Sequence, residues 1–195
     1  MKQNKPPESN KHMTGVVLAG GKSSRFGRDK GLYPFRGKPL AYHALNIIRP
    51  HCRELLISAN DHAEAYKQPG VQTIQDIYPH CGPLGGIHSA LYHAKHRHIA
   101  IISCDSPFIP SGIYDFLYQN MGDYQCIMPA HNHFIETMCA IYTKDSLSVI
   151  EKAIRSGTYK IIEAVKQLNC HYLNIERTPF YYPDIFHNIN YPEDL

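Results

Sequence analysis

The stretch His98-Ile99-Ala100-Ile101-Ile102-Ser103 constrains the fold more than any other part of the chain. It is short, rich in β-branched residues and apolar on both alternating faces, so a strand made from it must be covered on both sides. That places it in the middle of a parallel sheet with helices above and below. Other strand-like runs stand at residues 14–18, 54–59, 71–76, 125–129, 135–142, 170–175 and 185–189. Helical stripes fall between them at residues 40–49, 62–68, 82–94, 111–120, 144–155 and 159–168, with Asn60-Asp61 placed to cap the second. This alternation predicts a three-layer α/β/α sandwich, Rossmann-like, on a mostly parallel sheet.

At 195 residues, 43% apolar and 19% charged, the chain reads as one domain over residues 14–195 behind a polar leader, residues 1–13. A net charge of +3, scattered along the chain, argues against nucleic acid as a partner. No apolar run is long enough to span a bilayer, and the first twelve residues lack the apolar core of a secretory signal. Cys52, Cys81, Cys104, Cys126, Cys139 and Cys170 include no C-x-x-C pair, and several sit in strand-like runs. They read as reduced core thiols without disulfides or a zinc ribbon, which points to the cytoplasm. His93, His96, His98, His131 and His133 read as solvent-exposed rather than metal-binding, and Tyr181-Tyr182 as packing.

The chemistry-bearing stretch follows the first strand: Leu18-Ala19-Gly20-Gly21-Lys22-Ser23-Ser24-Arg25-Phe26-Gly27-Arg28-Asp29-Lys30. Adjacent glycines let a backbone approach a ligand closely, and freed N–H groups form a concave anion site. Arg25, Arg28 and Lys30 add positive charge at its far end. The glycine spacing fits neither G-x-x-x-x-G-K-[ST] nor G-x-G-x-x-G. Two further predicted strands end on carboxylates, Asp76 and Asp105. Ligands of open α/β folds gather at that edge, and Asp105 is suited to hold Mg²⁺ while substrate phosphates complete its shell.

Taken in order, Leu18-Ala19-Gly20-Gly21, Arg25-Phe26-Gly27, Asp29-Lys30, Gly37-Lys38-Pro39-Leu40, Asp76, Gly82-Pro83-Leu84-Gly85-Gly86-Ile87, Cys104-Asp105-Ser106-Pro107-Phe108 and Asn188-Ile189-Asn190-Tyr191-Pro192-Glu193-Asp194-Leu195 resemble the molybdenum cofactor guanylyltransferase (MobA) family. The resemblance implies a nucleotidyltransferase fold of the nucleotide-diphospho-sugar transferase type. It implies transfer of GMP from GTP to the terminal phosphate of molybdenum-bound molybdopterin, with release of pyrophosphate. Leu18, Ala19, Gly20, Gly21, Asn60, Asp76, Gly82, Pro83 and Leu84 would then meet the guanine nucleotide, and Lys30 its phosphates. Asp105 would contact GTP and hold Mg²⁺, while Asn188 and Asn190 would line the acceptor side. Molybdopterin-delivering and molybdoenzyme acceptor proteins are the implied protein partners.

An acceptor phosphate is already an anionic nucleophile, so the burden falls on cations, and Arg25, Lys30 and Asp105-bound Mg²⁺ are the expected catalytic set. L-A-G-G at residues 18–21, against L-A-A-G in related cytidylyltransferases, favours guanine, with Gly85-Gly86 read as room for a purine. The chain departs from the family where Glu136-Thr137-Met138-Cys139 replaces a common Pro-Leu pair. Two alternatives stay open: a nucleotidyltransferase acting on another phosphorylated small molecule, or a non-catalytic GTP-binding partner of molybdoenzymes.

Overall fold

The computed structural model describes residues 12–20 and 29–191; the leader through residue 11, Gly21 and Arg25 lie outside these. Among the described residues the chain forms β1 (Met13–Leu18), β2 (Pro34–Phe35), β3 (Lys38–Pro39), α1 (Leu40–Ile48), β4 (Cys52–Ser58), β5 (Gln72–Ile74), α2 (Pro83–His93), β6 (His98–Ser103), α3 (Ile113–Gln119), β7 (Cys126–His131), β8 (Phe134–Ile135), β9 (Cys139–Thr143), α4 (Leu147–Arg155), α5 (Ile161–Val165) and β10 (Cys170–Asn174). The main sheet runs β10-β7-β9-β6-β1-β4-β5, with β8 paired to β7, and β2 and β3 make a separate hairpin.

Alternate residues of the central strands feed two cores, which is why these strands read as unbroken apolar runs. Val17, Ile57, Ala100 and Ile102 meet α1 and α3 on one face. Val16, Leu56, Ile99 and Ile101 meet α2, α4 and α5 on the other. Each fully buried isoleucine contributes about 1.5–3 kcal/mol by leaving water. The expected three layers are present. The central strand, however, is not flanked by parallel neighbours on both sides. β6 runs parallel to β1 but antiparallel to β9. Burial on both faces dictates that helices cover a strand, not which way its neighbour runs.

Four local expectations are corrected. The run at residues 135–142 is two strands, β8 and β9, separated by a turn in which Cys139 N–H donates to the Glu136 carbonyl. Residues 185–189 are not a strand; their alternation arises because Ile185 and Ile189 are buried anchors of an irregular segment, Ile189 packing with Phe35 and Leu40. Asn60 does not cap the turn at Ala63–Tyr66, since its side chain is bonded to Asp76 instead. Cys126 and Cys170 are joined by a disulfide, contrary to the reading of all six as thiols. They stand opposite one another in the parallel pairing of β7 and β10, a juxtaposition hidden by their sequence separation of 44. Cys52, Cys81, Cys104 and Cys139 are free and buried. No helix among the described residues is long and apolar enough to cross a membrane.

Candidate active site

Register brings the predicted residues to one edge. Leu18 pairs with both Ser58 and Ser103, and Ser58 pairs with Ile74, so β1, β4, β5 and β6 all end together. Backbone bonds carry the alignment one residue further: Ala19 N–H donates to Ser58 O, Ala59 N–H to Ile74 O and Cys104 N–H to Leu18 O. Gly20, Asn60, Asp76 and Asp105 therefore leave the sheet side by side, as ligand sites of open α/β folds require.

Two groups of side chains stand on this edge. In the first, Asn60 Nδ2 donates to Asp76 Oδ2 at 2.8 Å, while Asp76 N–H donates to Asn60 Oδ1 at 2.8 Å. Ser58 Oγ donates to Asp76 Oδ1 at 3.2 Å. Asp76 is thus fixed from both sides with acceptor capacity left over, because an ionised carboxylate has about four lone-pair sites. Gly20, Asn60, Asp61, Asp76, Pro79, His80 and Gly82 enclose a cleft of ≈ 480 Å³. Gly82 adopts φ +60 and ψ −152 at the start of α2, a conformation open essentially to glycine alone.

The following Gly85-Gly86 does not open space for a base, as the sequence reading had it. Both lie buried in α2 and let the helix press onto the site. A Cβ at Gly85 would meet Tyr78 O at 2.7 Å and Asp76 Oδ2 at 3.1 Å, and one at Gly86 would meet Leu18 Cδ2 at 3.0 Å. Leu18 and Leu84 turn their side chains into the core, so only their backbones face the edge, whereas Pro83 is exposed.

In the second group, Lys30 Nζ donates to Asp105 Oδ2 at 2.7 Å and to Asn190 Oδ1 at 3.2 Å. Both members of the ion pair are largely shielded, at 17% and 15% side-chain exposure. Ser106 Oγ donates to Asn188 Oδ1 at 2.7 Å, and Ile189 N–H donates to Asp105 O at 2.9 Å. The last described segment is thereby pinned across the end of β6, Asn188 through Ser106, and Asn190 reaches a cation contributed from the other end of the chain.

Asp29 and Ser106, quoted only as parts of motifs, and Ser58 and Tyr66, marked by no motif, also take part. Asp29 Oδ1 accepts from Gly31 N–H at 3.0 Å and from Tyr66 OH at 2.5 Å, which sets the turn that presents Lys30. The adjacency of Asp29 to Lys30 was the available signal; Tyr66 had none. Burial and the neighbouring Asp105 charge push the Cys104 thiol well above its ordinary range. It stays protonated and is no nucleophile.

Among the described residues no three His, Cys, Asp or Glu side chains gather into a metal cluster. Asp105 can still hold a divalent ion. Its carboxylate is a hard donor with lone pairs beyond those used by Lys30 and, at 3.4 Å, Ser106. A hard cation bound beside a polyphosphate commonly has only one or two protein carboxylates.

A cleft, a shielded lysine and a carboxylate gathered at the carboxyl edge of this mixed sheet define a nucleotidyltransferase of the nucleotide-diphospho-sugar transferase fold. The same fold is shared by the 2-C-methyl-D-erythritol 4-phosphate cytidylyltransferase of Thermus thermophilus, at TM-score 0.70 and 12% identity over 92% of this chain and 93% of that one. The chain belongs to the MobA-like NTP transferase family, whose domain model matches residues 15–170. It is 34% identical to a probable molybdenum cofactor guanylyltransferase of Carboxydothermus hydrogenoformans, over 94% of this chain and 93% of the relative. Against the molybdenum cofactor guanylyltransferase of Vibrio parahaemolyticus it is 32% identical, covering 92% and 91%. Among solved structures, the molybdopterin-guanine dinucleotide biosynthesis protein A of Archaeoglobus fulgidus superposes with TM-score 0.79 at 28% identity, over 93% and 94%.

Proposed function

We propose that residues 14–195 form a single guanylyltransferase domain that moves GMP from GTP to the terminal phosphate of molybdenum-bound molybdopterin, in the cytoplasm and with Mg²⁺. The observation that carries this reading is the junction of Lys30, Asp105 and Asn190 beside the cleft of Gly20, Asn60 and Asp76. A base seated in that cleft places its polyphosphate toward Lys30. The cleft's carboxylates suit guanine, which alone among the common bases offers neighbouring N1–H and 2-amino donors to a paired acceptor.

The chemistry asks two polyanions to meet and a pyrophosphate to leave. Lys30 supplies a fixed ammonium at the phosphates, and Asn188 and Asn190 orient the incoming phosphate. The Asp105 carboxylate would hold Mg²⁺, which supplies further neutralisation of phosphate charge. No side-chain nucleophile is needed, in keeping with the protonated Cys104.

Pyrophosphate release should be seen with GTP and not with ATP or CTP when molybdopterin and Mg²⁺ are present. Release that follows a different nucleotide, or none despite a competent acceptor, would remove this assignment. The role of α2 has its own test. Gly85→Ala forces a shift of Tyr78 backbone or of the helix, and should cost about 1–3 kcal/mol of stability. For a chain of this length that lowers Tm by about 2–12 °C. GTP affinity should fall with it, because Asp76 is the second atom the methyl meets. A melting curve and GTP titration matching the parent protein would show that the close approach has no consequence.

A further inference from the structure

Lys30 carries its ammonium on a flexible four-carbon stem, so the place of that charge depends on what holds its backbone as well as its tip. At the tip stand Asp105 Oδ2 and Asn190 Oδ1. At the backbone, Lys30 O accepts from Tyr33 N–H at 3.1 Å, and Gly31 O accepts from Ala41 N–H at 2.9 Å, which fastens the following residue to the first turn of α1. On the preceding side the fastening is Asp29, whose Oδ1 accepts from Gly31 N–H and, at 2.5 Å, from the Tyr66 hydroxyl. That length is the one expected of a hydroxyl bonded to a carboxylate oxygen.

Tyr66 is built to hold a position. It belongs to a short turn, Ala63–Tyr66, in the connection between β4 and β5, yet its ring is fully buried in the core that also takes in Ala19, Ala41 and Ala59. A buried tyrosine hydroxyl needs a hydrogen-bond partner, and here it is Asp29, 37 residues away in sequence. Gly31 makes the room. A Cβ there would run into the Tyr66 hydroxyl, and would lie 3.1 Å from Tyr66 Cζ and 3.2 Å from Ala19 Cβ. Burial and the adjoining Asp29 push the Tyr66 phenol well above its ordinary range, so it remains the donor in this bond. The connection that carries Tyr66 also carries Asn60 of the cleft.

Resting on the guanylyl-transfer reading, we propose that Tyr66 is a positioning residue for the transfer: through Asp29 it fixes the turn from which Lys30 reaches the phosphates, and it ties the placement of that cation to the connection bearing Asn60. The hydroxyl takes no part in the bond exchange itself. It removes a freedom of movement from Lys30, and a displacement of about 1 Å at a reacting centre is enough to cost about 10²-fold in rate.

The test is a double-mutant cycle on the full chain, with Tyr66→Phe and Lys30→Ala made singly and together. Tyr66→Phe keeps the ring and its packing and deletes only the donor. In that variant kcat/KM for pyrophosphate release from GTP should fall about 10–10²-fold, chiefly through kcat, and the same substitution should cost less than about twofold once Lys30 is already alanine. A hydroxyl that served only to stabilise the fold would lower both backgrounds by the same factor. The cycle is repeated on affinity for inorganic pyrophosphate, which needs no turnover: Tyr66→Phe should weaken binding about threefold or more with Lys30 present and leave it unchanged in Lys30→Ala. Turnover by Tyr66→Phe within about twofold of the parent, or an equal loss in both backgrounds, would overturn the proposal. If the parent itself releases no pyrophosphate from GTP, guanylyl transfer fails, and the pyrophosphate cycle alone decides for or against Tyr66.

Discussion

Lys30→Ala is expected to lower kcat/KM for pyrophosphate release from GTP by about 10²–10³-fold, the usual loss when one preorganised charge-stabilising donor is removed from a reacting centre. Its ammonium is the one cation among the described residues bonded to both Asp105 and Asn190, at 2.7 and 3.2 Å. Both oxygens approach it from elements remote in sequence, so the position of the charge is dictated by β6 and by the last described segment rather than by the loop alone. The fold should survive. Gly31 stays bonded to Asp29, and the Ile189–Asp105 backbone bond does not involve the lysine. Steady-state kinetics paired with a thermal melt decide the matter. Lys30→Arg should restore only part of the rate, because a planar guanidinium does not reproduce a compact ammonium between two fixed oxygens. Turnover by Lys30→Ala within a factor of about two of the parent would reject the role assigned to this residue.

Asp105→Asn should cost at least as much, about 10³-fold in kcat, with a different distribution between the kinetic constants. The substitution preserves the shape and leaves one oxygen able to accept from Lys30, so the turn after β6 keeps its geometry. It removes a negative charge from beside the phosphates and removes the hard anionic donor that suits a divalent ion. GTP binding should therefore hold or tighten slightly while kcat collapses, and raising Mg²⁺ should not restore it. A variant that loses GTP affinity but keeps kcat would instead make Asp105 a nucleotide-positioning group and remove it from metal binding.

How much of this was readable in advance differs between the backbone and the side chains. The unbroken apolar run Ile99–Ile102 of β6 announced a strand covered on both faces, because burial acts on every residue in turn and leaves a local record. The carboxylates at strand ends, Asp76 and Asp105, were legible for the same reason: a change from apolar run to charge marks where a strand leaves the core. Gly82 could be singled out, and its φ of +60 supplies the reason for glycine there. Gly85 and Gly86 stand out in the sequence, but the space they suggest is filled by α2 against the sheet. Their role depends on how closely α2 lies on Asp76 and Tyr78, a distance between segments that no local pattern encodes.

By itself, then, the sequence determined the layered α/β architecture, the strand ends that carry Asp76 and Asp105 and the identity of the family, since each follows from local periodicity or from residues in fixed order. Only the tertiary structure decided the antiparallel course of β9, the Cys126–Cys170 disulfide and the anchoring of Ile185 and Ile189 without a strand. It alone joined Lys30 to Asn190, a pair 160 residues apart, and set Phe108 opposite His187. The physical reason is the same throughout. Hydrophobic patterning is a property of neighbouring residues, whereas register, pairing and the walls of a cavity arise from contacts between distant segments, which packing selects only once the sheet has formed.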